Sequence, residues 1–262
     1  MLSYKKIFLD TCVLSDIGRM NKKKRAEIAY EFLVNKKYKL IIPTYILEEL
    51  ERMPDKNIRE NVYDFLEISY VGFPKGADKI FAEEIEVNKN NSEIEIVEFN
   101  VSMLQKDSNG ETMDFKNFKD NLLNNDMFKS ITSQNKQIKQ YLQKQKRPLK
   151  NIDDYFKVII AKHLYDCKIS KIDYNIFPAF TVWAYSLANK IESKGLKQKC
   201  NELNDVAMSY IVPYIDIVIA EKRQINLYNQ MKDKKLLNCL NNIIFKKYSD
   251  VFEYGEFKVD NI

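Results

Sequence analysis

Several acidic side chains stand at positions from which an α/β sheet presents groups to a ligand, the ends of buried strands and the helices beside them. Asp10 closes the run KIFLD, Glu49 lies within LIIPTYILEEL, and Asp205, Asp216 and Glu221 fall within LNDVAMSYIVPYIDIVIAEK. Singly, each reads as a helix cap, a solvated helix face or a strand-end charge. Gathered at one sheet edge they would repel and raise one another's pKa, an arrangement that persists when a divalent cation neutralises it. A site built only of carboxylate oxygens suits Mg²⁺ or Mn²⁺ better than zinc.

Other chemistries have weaker claims. With six Gly in the chain there is no GxGxxG or Walker pattern to cradle a phosphate. The single histidine, His163, excludes a histidine-rich zinc site, and its place in an apolar helical pattern marks it as structural. Cys12 follows a strand end but has no evident base nearby, so it reads as a packing residue. Cys12, Cys167, Cys200 and Cys239 lack the paired spacing of metal ligands and do not suggest a disulfide framework.

The acids must be positioned by strands and helices, and these are legible. Residues 5–10 and 38–42 (YKLII) are buried runs that predict strands, the second stopped by Pro43. Helical spacing covers 16–35, and a further helix follows Pro43 with Thr44 as its expected N-cap. A helix over 58–66 and a strand over 68–73 continue a β-α-β-α rhythm that predicts a parallel sheet. Beyond Pro74 come a helix over 77–87, an alternating strand over 93–99 and a polar, helical pattern over 113–145 ended by Pro148. Helices are expected over 153–165, 174–193, 204–210 and 222–234, with a buried strand over 215–220.

The chain has 262 residues, 45% apolar and 30% charged, a globular composition that excludes global disorder. It contains no run of 18 apolar residues and no secretory signal pattern, so a soluble cytoplasmic protein without membrane association is expected. The net charge of +5 is unevenly spread. Residues 127–152 contain seven basic side chains and no acidic ones, and the remainder holds 35 basic against 37 acidic. Lys129, Lys136, Lys139, Lys144, Lys146 and Arg147, with Tyr141 interleaved for stacking, form a candidate nucleic-acid-binding segment.

Asp10 in a buried strand followed by Thr11-Cys12-Val13-Leu14, then PTYILEEL, then Asn204-Asp205 and a last strand, resembles a PIN domain, as in VapC-type toxins. In that pattern the strand-ending Asp is followed by a small hydroxyl residue, here Thr11. A Glu-Leu pair lies six residues after the helix opening, which from Pro43 is Glu49-Leu50. The third acid corresponds to Asp205. The fourth follows a Thr, where this chain has Ala220-Glu221, a departure at both positions. The stretch before it is similar to a PIN subgroup with P-Y-x-D, which offers Asp216 as an additional or replacement ligand. The resemblance covers residues 1–72 and 196–235.

That resemblance implies an α/β, three-layer PIN-like fold, with a parallel central sheet flanked by helices and a mostly helical insertion. Residues 1–74 would form the first part of the core, 75–150 the insertion with its basic segment, and 151–262 the second part and C-terminal helices. It implies a metal-dependent endoribonuclease in which Asp10, Glu49, Asp205 and Asp216 or Glu221 hold Mg²⁺ or Mn²⁺. Thr11 would hydrogen-bond within the site. RNA is the expected partner, with DNA, an antitoxin or defence-complex protein and a second copy of the chain as further candidates. A structure-specific DNase and a catalytically degenerate PIN-fold binding or scaffold module are the alternatives.

Overall fold

A computed structural model describes residues 4–89, 104, 114–124, 151–167, 173–194, 203–253 and 256–262. Its centre is a five-stranded sheet built from β1 (Lys5–Leu9), β2 (Tyr38–Ile41), β3 (Val71–Gly72), β4 (Ile217–Ala220) and β5 (Ile244–Lys247). The strand order is β3-β2-β1-β4-β5, and every neighbouring pair is parallel. Central strands covered on both faces carry continuous apolar runs, which is why IFL in β1 and IVIA in β4 are fully buried. The chain is therefore α/β with a parallel sheet flanked by helices, consistent with the expected three-layer PIN-like arrangement.

From β1 the chain builds outward through β2 to β3, then returns to the other side of β1 with β4 and β5. The direction of winding reverses between β1 and β4. Such a reversal opens a crevice at the carboxyl ends of the two strands, where open α/β sheets bind ligands.

The helices that follow β1 and β2 are α1 (Thr11–Arg19), α2 (Lys22–Tyr30), α3 (Thr44–Glu51) and α4 (Lys56–Glu67). The expected single helix over 16–35 is instead α1 and α2, followed by a π-helical turn over Glu31–Asn35. Asn21 causes the break: its side chain accepts from the Lys24 N–H and starts a new helix. Thr44 is the first residue of α3 and Pro43 its cap position, in keeping with the orphan N–H that a proline there lacks. α1 packs on α4 through Gly18, where a Cβ would lie 2.7 Å from Val62 Cγ2 and 2.8 Å from the Ile58 carbonyl oxygen.

A second group comprises α5 (Ala77–Lys89), α6 (Phe115–Asn124), α7 (Ile152–Cys167), α8 (Pro178–Lys194), α9 (Asn204–Met208) and α10 (Lys222–Asp233). α8 packs against α5, α7, α9 and the 3₁₀ turn Ser209–Tyr214 that continues α9. It starts at Pro178 rather than 174, since proline is favoured at the first helical position. Glu84 of α5 is fully buried and accepts from the Ala179 and Phe180 N–H groups at 2.6 and 3.3 Å and from the Tyr214 hydroxyl. One carboxyl group thus caps α8 from a distant helix.

β5, the turn α11 (Tyr248–Val251) and the hairpin of β6 (Phe252–Glu253) with β7 (Glu256–Phe257) were not foreseen from sequence. Among the described residues no helix is long and apolar enough to cross a membrane. The expected strand over 93–99 and the basic segment from Lys129 through Lys136, Lys139, Tyr141, Lys144, Lys146 and Arg147 lie outside the described residues.

Candidate functional site

Asp10 leaves β1 at the reversal point, and its backbone N–H donates to the Ile219 carbonyl of β4 at 3.0 Å. It also caps α1: Oδ1 accepts from the Thr11 N–H at 2.8 Å, and its carbonyl accepts from Val13 and Leu14. Those bonds fix the carboxyl group at the strand end. Asp10 is only 6% exposed, and its second oxygen accepts from the Cys12 thiol at 3.4 Å. Burial and then the charge of Asp205 push its pKa up to about 6, opposed by the Thr11 and Cys12 donors, with Glu221 adding to the rise.

Glu49 reaches the same place from α3. Its Oε2 accepts from the Thr11 hydroxyl, so the residue after Asp10 holds the second acid. Burial pushes Glu49 up to about 7, and the charges of Asp10 and Asp205 act in the same direction against the Thr11 and Asn204 hydrogen bonds. Glu48, its neighbour, is spent elsewhere: it is buried, ion-paired with Arg52, and accepts from Asn204 Nδ2 at 2.9 Å. The helix count that selects Glu49 over Glu48 agrees with this division.

Asp205 lies in the first turn of α9, and Glu221 follows β4 directly and stands at the cap position of α10. Both charges are felt at Asp10. Asp205 also has a cation beside it, with Lys190 Nζ of α8 at 3.5 Å from Oδ2. The Lys190 side chain is almost fully buried, whereas that of Asp205 is about half exposed.

Asp216 stands apart from the other acids. It lies before the first residue of β4, where Oδ2 accepts from the Lys6 N–H at 2.6 Å and the carbonyl accepts from Ile244. In a parallel sheet the amino ends of β1 and β4 share one edge, and the carboxyl ends share the other. Asp216 is thereby separated from Glu221 by the length of β4, about 16 Å of extended chain. Its role is to clasp the start of β1, and the expectation that it joins the metal ligands is corrected.

Three contributors escaped the sequence. Asn204 is fully buried and ties α9 to α3. Lys190 sits in a helix buried nearly all round, the one signal available, since a lysine in such a helix requires an acidic partner. Arg223 joins the lining of two cavities beside the acids, one of which includes Asp205 and Lys190. His163 stacks flat on Phe180, with ring centroids 3.5 Å apart. The Cys12 thiol is pushed up by burial and then by Asp10, which disfavours the thiolate a nucleophile needs.

Asp10, Glu49, Asp205 and Glu221 thus meet at one sheet edge, an all-oxygen set in its chemistry. Among the described residues no group of three or more His, Cys, Asp or Glu side chains is arranged to hold a metal ion. Glu49 is turned to Thr11 and Asp205 to Lys190, so the four carboxyl groups share a neighbourhood without sharing a point. No family model, curated relative or solved structure matches the chain.

Proposed function

We propose that the chain is a metal-dependent endoribonuclease of PIN type, hydrolysing RNA phosphodiester bonds. One observation carries the reading. Asp10, Glu49 and Asp205 come from three distant segments to the β1–β4 reversal point, where burial first, and then the charges of the neighbouring acids, push Asp10 and Glu49 upward. A fold that tolerates such repulsion has a use for the charges. The strand order, with Asp10 at the reversal point, and the PIN-like motifs agree with this reading.

Asp10, Glu49, Asp205 and Glu221 would hold the metal, and their oxygen-only chemistry fits Mg²⁺ or Mn²⁺. Such an ion supplies a Lewis acid for the phosphate and an activated water. The chain's own residues do the positioning. Thr11 holds Glu49 near Asp10 by donating to it, and Asn204 fixes the start of α9 against α3. Lys190 restrains Asp205 and adds a positive charge for a phosphate entering the site. Burial of Asp10 strengthens the attraction of its carboxylate for a bound cation.

A second reading, a catalytically degenerate PIN-fold nucleic-acid-binding or scaffold module, draws on the Lys190–Asp205 pair and on Ala220-Glu221 in place of Thr-Asp. By resemblance alone, the endoribonuclease reading extends to a cytoplasmic toxin or defence effector with an antitoxin-like partner. Incubation of total RNA with the purified protein and Mn²⁺, followed by mapping of cleavage ends, separates the two. Cleavage lost in EDTA and in Asp10→Asn supports the nuclease. Equal cleavage by the variant, or none by the wild type, removes it.

A further inference from the structure

A groove of about 1050 Å³ opens beside the acid cluster. Its lining marks its course: Cys12 follows β1, Glu221 follows β4, and Tyr248 follows β5. These strands are neighbours about 4.8 Å apart, so the groove crosses roughly 10 Å of the carboxyl edge, away from Asp10 and toward β5. A smaller cavity containing Asp205 and Lys190 shares Asn189, Arg223 and Leu227 with it. The groove therefore shares a wall with the cavity at Asp205 and is itself lined by Glu221.

Beyond Glu221 the lining changes sign. Arg19, Lys222 and Arg223 supply cations, and the groove's remaining acid, Asp16, is ion-paired with Arg19. Lys222 and Arg223 occupy the first turn of α10, where the helix dipole disfavours positive charge. Lys222 and Arg223 thus give this stretch of the groove a cationic lining of the kind a phosphate backbone meets. Asn226 and Gln230 recur one helical turn apart along the same helix and offer donors and acceptors. Tyr248, stacked on Phe252 at 4.7 Å, adds an aromatic surface.

We propose that this groove holds one strand of RNA on the β5 side of the acid cluster, with its phosphates against Lys222 and Arg223. For its substrate class the proposal rests on the nuclease reading of the acids. Amide and aromatic groups in a lining reach base edges and faces only where bases are unstacked, which selects a single strand over a duplex. Backbone contact with Lys222 and Arg223 then carries the affinity, and the strand leads its scissile phosphate onto Asp10 and Glu49.

The test is fluorescence anisotropy of a labelled single-stranded RNA oligonucleotide in EDTA, where binding is read without cleavage. The Lys222→Gln, Arg223→Gln double variant is expected to bind about tenfold more weakly. Its slope of log affinity against log salt should fall by about 1.4, or roughly 0.7 for each lost phosphate contact. Gln230→Glu, an exchange at a groove-lining position, should weaken binding in the same direction without disturbing the first turn of α10. Unchanged affinity and slope in both variants, or a duplex of the same sequence bound as tightly as the single strand, overturns the groove. Cleavage by the wild type in Mn²⁺ is scored separately: a chain that cleaves but whose groove variants bind normally keeps the nuclease and loses the groove. Weakened binding in the groove variants without wild-type cleavage does the reverse.

Discussion

Asn204 and Glu48, each one residue before a candidate acid, are hydrogen-bonded to one another at 2.9 Å across 156 residues of sequence. Both side chains are buried, so the bond is made without competition from water. It sets the register between α3 and α9, and with it the relative placing of Glu49 and Asp205.

Replacing Asn204 should therefore cost both stability and activity. Asn204→Ala leaves a buried Glu48 oxygen without its amide donor, an expected loss of about 1–3 kcal/mol. Denaturant titration reads that loss, and RNA cleavage should fall with it. A variant as stable and as active as the wild type would show that Arg52 alone suffices to hold Glu48.

Asp10→Asn should separate function from stability. The amide keeps an oxygen for the Thr11 N–H but removes the charge that burial, and then Asp205 and Glu221, oppose. At pH 8 and without divalent ions, the variant is expected to be more stable than the wild type by roughly 1–3 kcal/mol. Added Mn²⁺ should raise the melting temperature of the wild type and leave the variant unmoved, because only a native-state site gains from ligand. A less stable variant would place Asp10 among structural residues.

Glu84 gives a pH dependence remote from the acid cluster. Burial pushes it up to about 8 against the pull of Tyr214, Ala179 and Phe180. The unfolded chain releases this proton near the ordinary glutamate value of 4.5, well before the folded chain does. Stability from this group is thus complete below pH 4.5 and is lost as pH rises through about 8. Denaturation of wild type and Glu84→Gln across that window should show the wild type's advantage shrinking with pH. A constant difference would contradict the assignment.

The basic segment can be examined independently of the groove. Changing Lys136, Lys139, Lys144 and Lys146 to Gln should weaken RNA binding and flatten its salt dependence if that segment meets the phosphate backbone. Equal affinity of variant and wild type would assign it to solvation.

Strands β1, β2 and β4 were legible because both of their faces are covered, which demands uninterrupted apolar runs. β5 was not, since an edge strand carries lysines such as Lys246 and Lys247 that break the pattern and guard against edge pairing. Asp10 and Glu49 were visible as acids beside buried runs. Asp216 and Glu221 flank the same strand, and only its parallel direction places Glu221 beside Asp10 and Asp216 at the far edge. Lys190, Asn204 and the Arg223 groove depend on contacts between distant helices, which local spacing does not encode.

The pairing of β1 with β4 has a consequence for biogenesis. Lys6 and Asp216 are 210 residues apart, so one side of the central strand stays open while most of the chain is made. A nascent chain therefore exposes the apolar edge of β1 until β4 emerges, a window in which chaperone capture or misassembly competes with folding. The same delay withholds Asp205 and Glu221 from Asp10 and Glu49. The acid cluster therefore stays incomplete on the ribosome until Glu221 has been made.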